Sequence, residues 1–336
     1  MKPFVPPAIR VRTLASCALT VFSLAACGEQ PAGLLDGEQA IVDRIRQVRE
    51  LRRQAAVCWP GFDAPEYDTP LLYYTDSVCY AVNPTRQFRD AFGARIACRD
   101  GEFAIYKTAL PDTLRFHMQT QVDFEDSTAY NHRMPFLFCS SPEITVRTIP
   151  DVTSDSVWLP MVLHEYTHGF QFRQRGFIDA FGSEMPSVPQ KELTKLYKEQ
   201  EWFRKAVDAE NEALLTAIAA ENSADRDACI CRFHTLRKAR KERMSTELRE
   251  GAVRSEEIYE LMESMARYVE ADAGFRLGSY TEADDWLFRT DRSSYFYATG
   301  YNLLRLLDRC GTDKSRIFTG RLLPLETFLT TTEKKQ

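Results

Sequence analysis

The stretch Val162-Leu163-His164-Glu165-Tyr166-Thr167-His168-Gly169-Phe170-Gln171 contains His-Glu-x-x-His. On a helix, residues i and i+4 share one face, so His164 and His168 can present two imidazole nitrogens to one metal ion, and zinc is the metal that suits them. Glu165 lies beside that face and can reach a water on the metal. Zinc lowers the pKa of such a water toward roughly 7, which makes hydroxide available for attack on a carbonyl. The glutamate takes the water's proton and passes it to the leaving amine. Random placement of five histidines and the chain's glutamates gives this pattern on the order of 0.006 times per chain. Val162, Leu163 and Phe170 would bury the helix around it. His117, His132 and His234 have no comparable context and are expected to be surface or core histidines.

A catalytic zinc needs a third protein ligand and an open position. The continuation HExxHxxGxxH is absent, because Gln171 and Gln174 occupy its Gly and last His positions. A glutamate farther along is expected instead, with Glu184, Glu263 and Glu270 as candidates. In Glu263-Ser264-Met265-Ala266-Arg267-Tyr268-Val269-Glu270, residues 263, 266 and 270 share one helix face. Ala266 is small enough to let that helix approach the histidine-bearing one. Ile258, Met262, Met265 and Val269 give it a neighbouring apolar face. Glu263 is the preferred ligand, and Glu270 can serve as a carboxylate that orients a ligand histidine. Farther on, Tyr295-Phe296-Tyr297-Ala298-Thr299-Gly300-Tyr301 opens a helix that Leu303, Leu304 and Leu307 would bury on one side. Gly300 there allows close backbone approach.

Taken together, HExxH, then Glu-x-x-Ala-x-Tyr-x-Glu, then Tyr297-Ala298-Thr299-Gly300 resembles the gluzincin metallopeptidases. The last two elements are similar in order and spacing to catalytic domains of the membrane-alanyl-aminopeptidase type. The resemblance covers the active helix and roughly residues 255–310. It implies a zincin-like fold, Zn2+ held by His164, His168 and Glu263, and Tyr297 as the hydrogen-bond donor to the tetrahedral oxyanion. The chain also departs from the family. Met262 stands where the family has Asn, and 94 residues replace a spacer of about 18 between the second His and the Glu. No Gly-x-Met-Glu-Asn motif precedes the site. The resemblance therefore implies a zinc site and peptide-bond hydrolysis, and not aminopeptidase specificity.

The elements that must position these residues fall into two blocks. Between residues 58 and 150, Leu71–Tyr74, Phe103–Tyr106 and Pro135–Phe138 are short apolar runs, and Phe116, Met118, Val122 and Phe124 alternate. That block predicts a mostly antiparallel sheet. Residues 36–57 ahead of it predict a helix with Ile41, Ile45, Val48 and Leu51 on one face. From Pro160 the chain reads as helical. Residues 189–250 predict a helical hairpin broken near 221–225, followed by helices over 255–272 and 295–309. The basic run Arg237-Lys238-Ala239-Arg240-Lys241 is expected on a solvated helix face. The expected architecture is α+β: one two-lobed domain over 38–330, with a sheet lobe (about 58–150), a helical lobe (about 158–330) and the His-bearing helix between them.

The chain has 336 residues, 44% hydrophobic and 27% charged, which excludes wholesale disorder. With 43 basic and 48 acidic residues its net charge is −5, which gives no support to a nucleic-acid-binding surface. No apolar run approaches the ~18 residues of a membrane span. Residues 1–26 have the pattern of a secretory signal, with Lys2, Arg10 and Arg12 ahead of the apolar stretch 14–26. They end in Leu24-Ala25-Ala26-Cys27, which resembles the bacterial lipobox. Cys27 is then the expected lipidation site, and residues 27–37 a tether. Gly28 after the cysteine implies retention on the periplasmic face of an outer membrane. Among the seven cysteines after Cys27, some disulfide pairing is expected in an oxidising compartment.

The expected function is that of an envelope-anchored zinc metallopeptidase acting on a peptide or protein substrate. Two other readings stay open: a non-catalytic envelope lipoprotein with a structural or relic zinc site, and a zinc hydrolase of a non-peptide amide.

Overall fold

Leu71-Leu72-Tyr73-Tyr74 is apolar at every position because both faces of the strand it forms are covered. A computed structural model of the chain describes residues 38–101, 103–318 and 320–329. The expected signal peptide, tether and Cys27 lie outside these residues. Six strands form one sheet: β1 (Leu71–Tyr74), β2 (Cys79–Val82), β3 (Arg95–Asp100), β4 (Phe103–Thr108), β5 (Met118–Gln121) and β6 (Phe136–Ser140), in the order β3-β4-β2-β1-β6-β5. All neighbours are antiparallel except β1 and β6, which run parallel. Leu71 and Tyr73 of β1, with Leu137 and Cys139 of β6, join the main core on the helical side. Leu72, Tyr74, Phe136 and Phe138 face a smaller core on the other side, closed by Phe88. Central strands buried on both faces lose the alternation that marks a half-exposed strand.

Ten α-helices are described: α1 (Gln39–Ala55), α2 (Arg86–Phe92), α3 (Pro142–Thr148), α4 (Asp155–Arg173), α5 (Arg175–Ser183), α6 (Gln190–Glu199), α7 (Glu201–Ala219), α8 (Ser223–Glu247), α9 (Ala252–Leu277) and α10 (Tyr295–Arg309). The α+β class and the mostly antiparallel sheet agree with the sequence reading. Helix α4 starts five residues before Pro160, which lies inside it. A proline in the first two turns forfeits one hydrogen bond, to the carbonyl four residues back, and the helix runs through it. Its far end is fixed by packing on α9, and its near end by Trp158, whose Nε1 donates to the Ser140 carbonyl at the end of β6 (3.0 Å).

Two expectations are corrected. The basic run is not a solvated face: Arg237 and Arg240 are each only 3% exposed. Three residues apart on α8, they point the same way, into carboxylates from α7 and α9. Arg237 pairs with Glu210 (3.0 Å) and Glu260 (2.6 Å), and Arg240 with Glu210 (2.6 Å) and Glu256 (2.8 Å). Lys238 alone of the run's charges stays largely in water, 78% exposed. The second correction concerns the cysteines. Cys58, Cys79, Cys98, Cys139, Cys229 and Cys231 are free thiols. Cys79 and Cys139 sit in cores on opposite sides of the sheet, which forbids a bridge. Cys229 and Cys231, two apart on α8, point in different directions. Among the described residues no helix is long and apolar enough to cross a membrane.

Candidate metal centre

His164 and His168 sit one turn apart in the middle of α4, and Glu263 faces them from the middle of α9. The two helices pack side by side, with Ala266 fully buried between larger neighbours. Glu263 Oε2 is 3.4 Å from His164 Nε2 and 3.4 Å from His168 Nε2. Among the described residues these three make the only group of three or more side chains able to hold a metal ion. Their exposures are 12%, 10% and 7%.

The outer atoms of the three groups are all committed. Glu270 Oε2 accepts a hydrogen bond from His164 Nδ1 (2.9 Å). Gln171 lies 3.0 Å from His168 Nδ1 through Oε1, because its Nε2 donates to the Met262 carbonyl (2.9 Å). Both acceptors require a proton on Nδ1, so in the neutral imidazoles both Nε2 lone pairs face Glu263 Oε2. Gln190 Nε2 donates to the other Glu263 oxygen, Oε1 (2.8 Å). Oε2 itself is buried and has no hydrogen-bond partner. Three electron-rich atoms thus converge on one point in a region shielded from water, an arrangement that a bound metal ion or added protons stabilise.

Without a metal ion, the facing carboxylates draw protons onto the imidazoles. Burial by itself would lower the His164 pKa, but the Glu263 and Glu270 carboxylates override it and push the group up to about 10. His168 is raised too, against its burial, chiefly by Glu263. Burial would raise Glu263, yet the facing His168 and His164 hold it well below the usual carboxylate range. Glu165 is raised, by burial first, with Glu263 adding to the rise and both histidines opposing it.

Glu165 belongs to the same surface but not to the three-residue group. Its backbone carbonyl accepts a hydrogen bond from Thr120 Oγ1 (2.6 Å), which ties β5 to α4 at this point. Tyr297, in the first turn of α10, stacks its ring on His164 at 6.1 Å and 15°. Burial, and then Glu263, hold the proton on its hydroxyl. The other two tyrosines of that segment lie elsewhere: Tyr295 donates to Glu256 in the buried ion network (2.6 Å), and Tyr301 packs on Tyr268. Gly300 is pressed against α9, where a Cβ would come within 2.5 Å of Ser264 Cβ. This contact sets the spacing between Glu263 and Tyr297.

Of the candidate third ligands, Glu263 faces both histidines, Glu270 holds the back of His164, and Glu184 is apart, paired with Arg254 (3.0 Å). His117 is a core histidine, with Nε2 3.1 Å from Asp112 and its ring 4.0 Å from Tyr74. The sequence reading missed Gln171, Gln190 and Tyr280. Tyr280 donates to Glu270 Oε1 (2.9 Å), and its ring lies on Gly274, where a Cβ would meet it at 2.1 Å. Only Gln171 left a local signal, three residues after His168 on the same helix.

No protein-family model, no curated protein and no solved structure matches this chain.

Proposed function

We propose that the protein is a zinc-dependent peptidase of gluzincin type with a zincin-like fold, held on a bacterial envelope membrane by lipid on Cys27. The observation that carries the site is the pair of Nε2 atoms facing a buried Glu263 oxygen that has no hydrogen-bond donor. Two neutral imidazoles and one carboxylate are a zinc donor set; magnesium and calcium prefer oxygen throughout. His164, His168 and Glu263 would hold the ion. When bound there, zinc supplies a Lewis acid and an acidified water.

The chain's own residues supply the rest. Glu165, beside the ligands on the same turn, accepts a proton from the attacking water and delivers it to the leaving nitrogen. Glu270 and Gln171 hold the imidazoles in one tautomer. Tyr297 donates to the negative charge that develops on the carbonyl oxygen. A peptide substrate is favoured by β5, which carries no strand on its other side among the described residues. The His117 carbonyl accepts from the Ser140 amide (2.8 Å), so by antiparallel alternation the backbone groups of Met118 and Thr120 face away from β6. An extended peptide can pair with that edge beside Glu165.

Metal analysis with digestion of a diverse peptide library tests the proposal directly: about one zinc per chain and cleaved products are expected. Zinc without cleavage of any peptide would leave a structural site or a non-peptide substrate.

Tyr297→Phe should lower kcat by roughly 10²-fold with little change in KM, since the donor acts mainly in the transition state. Tyr295→Phe removes the bond to Glu256 instead, and should cost about 1–3 kcal/mol of stability with kcat nearly kept. A Tyr297→Phe enzyme within about threefold of wild type would remove this residue from the mechanism. Cys27→Ser should move the protein from membrane to soluble fractions; persistence with the membranes would refute the lipobox reading.

A further inference from the structure

We propose that Gln190 is a positioning residue that makes Glu263 a ligand through one oxygen only, so that the chain inserted between His168 and Glu263 completes the metal site. The inference rests on the zinc reading above. Gln190 opens α6, and its Nε2 donates to Glu263 Oε1 at 2.8 Å. A carboxylate facing a metal unrestrained can swing to present both oxygens. That would take up the open position a hydrolytic site needs. With Oε1 held by an amide, Oε2 alone is left to the histidines. The donor's neutrality matters as well. A lysine or arginine there would neutralise the carboxylate and compete with the ion, whereas an amide fixes its orientation and leaves its charge in place.

The segment that carries Gln190 is itself held along one face of α9. Ser255 Oγ accepts from the Val188 amide (3.1 Å), Tyr259 lies one turn on, and Glu263 meets the Gln190 side chain. Residues 255, 259 and 263 are successive turns of a single helix face, so 188–190 runs down it like a splint. Arg249 adds a bond to the Ser187 carbonyl (2.8 Å). The amide is thus delivered to Oε1 by a backbone held at Ser187 and Val188. The long spacer that separates this chain from the gluzincin pattern supplies that backbone.

Gln190→Met keeps the length and loses the donor; Gln190→Ala removes both. The measurements are zinc affinity by chelator competition, the visible absorption of the cobalt(II)-loaded protein, and the melting temperature of the metal-free protein. Both variants should bind zinc about 10–100-fold more weakly. Their cobalt bands should lose intensity, because a second carboxylate oxygen raises the coordination number. The metal-free melting temperature of Gln190→Met should fall somewhat, because a buried Glu263 oxygen loses its donor, but a merely structural role would leave the cobalt spectrum of the loaded protein unchanged. If wild type binds zinc and Gln190→Met matches it in affinity (within about twofold) and in cobalt spectrum, Gln190 does not position Glu263. If wild type itself binds no zinc, the metal reading fails, and the inference fails with it.

Discussion

Glu165→Gln is expected to lower kcat by about 10²–10⁴-fold while zinc remains near full occupancy. The substitution keeps the side chain's shape and removes only its ability to take a proton. Glu165 lies outside the three-residue ligand group, and its partners in the structure are electrostatic rather than coordinating. The Thr120 bond is to its backbone carbonyl, so the tie between β5 and α4 survives the change. Metal content by elemental analysis and single-turnover cleavage of a peptide found in the library screen would measure the two halves separately. A variant with near-wild-type rate would exclude Glu165 as the proton carrier. Loss of zinc alongside activity would make it a ligand instead.

Replacing either histidine with Ala should abolish high-affinity zinc binding, and the two glutamates should then rank in a fixed order. Glu263→Gln removes the charge that faces both Nε2 atoms, so it should weaken zinc far more than Glu270→Gln. The latter leaves all three ligands in place and loosens one imidazole, for an expected loss of about 10–100-fold. Chelator competition across the four variants gives the ranking. The reverse order would move the third ligand to Glu270 and turn Glu263 into the supporting carboxylate.

The legible parts of the chain were those whose causes are local. Leu71–Tyr74 and Tyr295–Arg309 were expected with the bounds they have in the structure, because turn residues or a break in helical spacing mark their ends. His164 and His168 could be read as a pair because a 3.6-residue repeat puts them on one face. Glu263 and Glu270 could be placed by the same repeat once a second buried helix was assumed. The partners that come from another element were hidden. Nothing near Gln190 or Tyr280 in sequence signals that each ends on a carboxylate of α9. The run at 237–241 has the composition of a solvated face, and only the carboxylates that α7 and α9 bring to it reverse that reading. The thiols were read from their number and compartment, while their spacing is decided by which side of a sheet or helix each one occupies.

The buried arginines of α8 also decide how far the inserted helices can move. Breaks at Gln200 and at 220–222 would furnish the joints if the α7–α8 pair were to lift as a flap. Lifting such a flap slightly would part Arg237 and Arg240 from their carboxylates without wetting them, at about 3–5 kcal/mol for a single buried pair. Lifting it fully would hydrate the ions but also bare Ile230, Phe233 and Met244, which are wholly buried, at about 1.5–3 kcal/mol each. Either way the open form is held below about one molecule in a hundred. The inserted helices therefore behave as a fixed part of the fold and not as a hinged one.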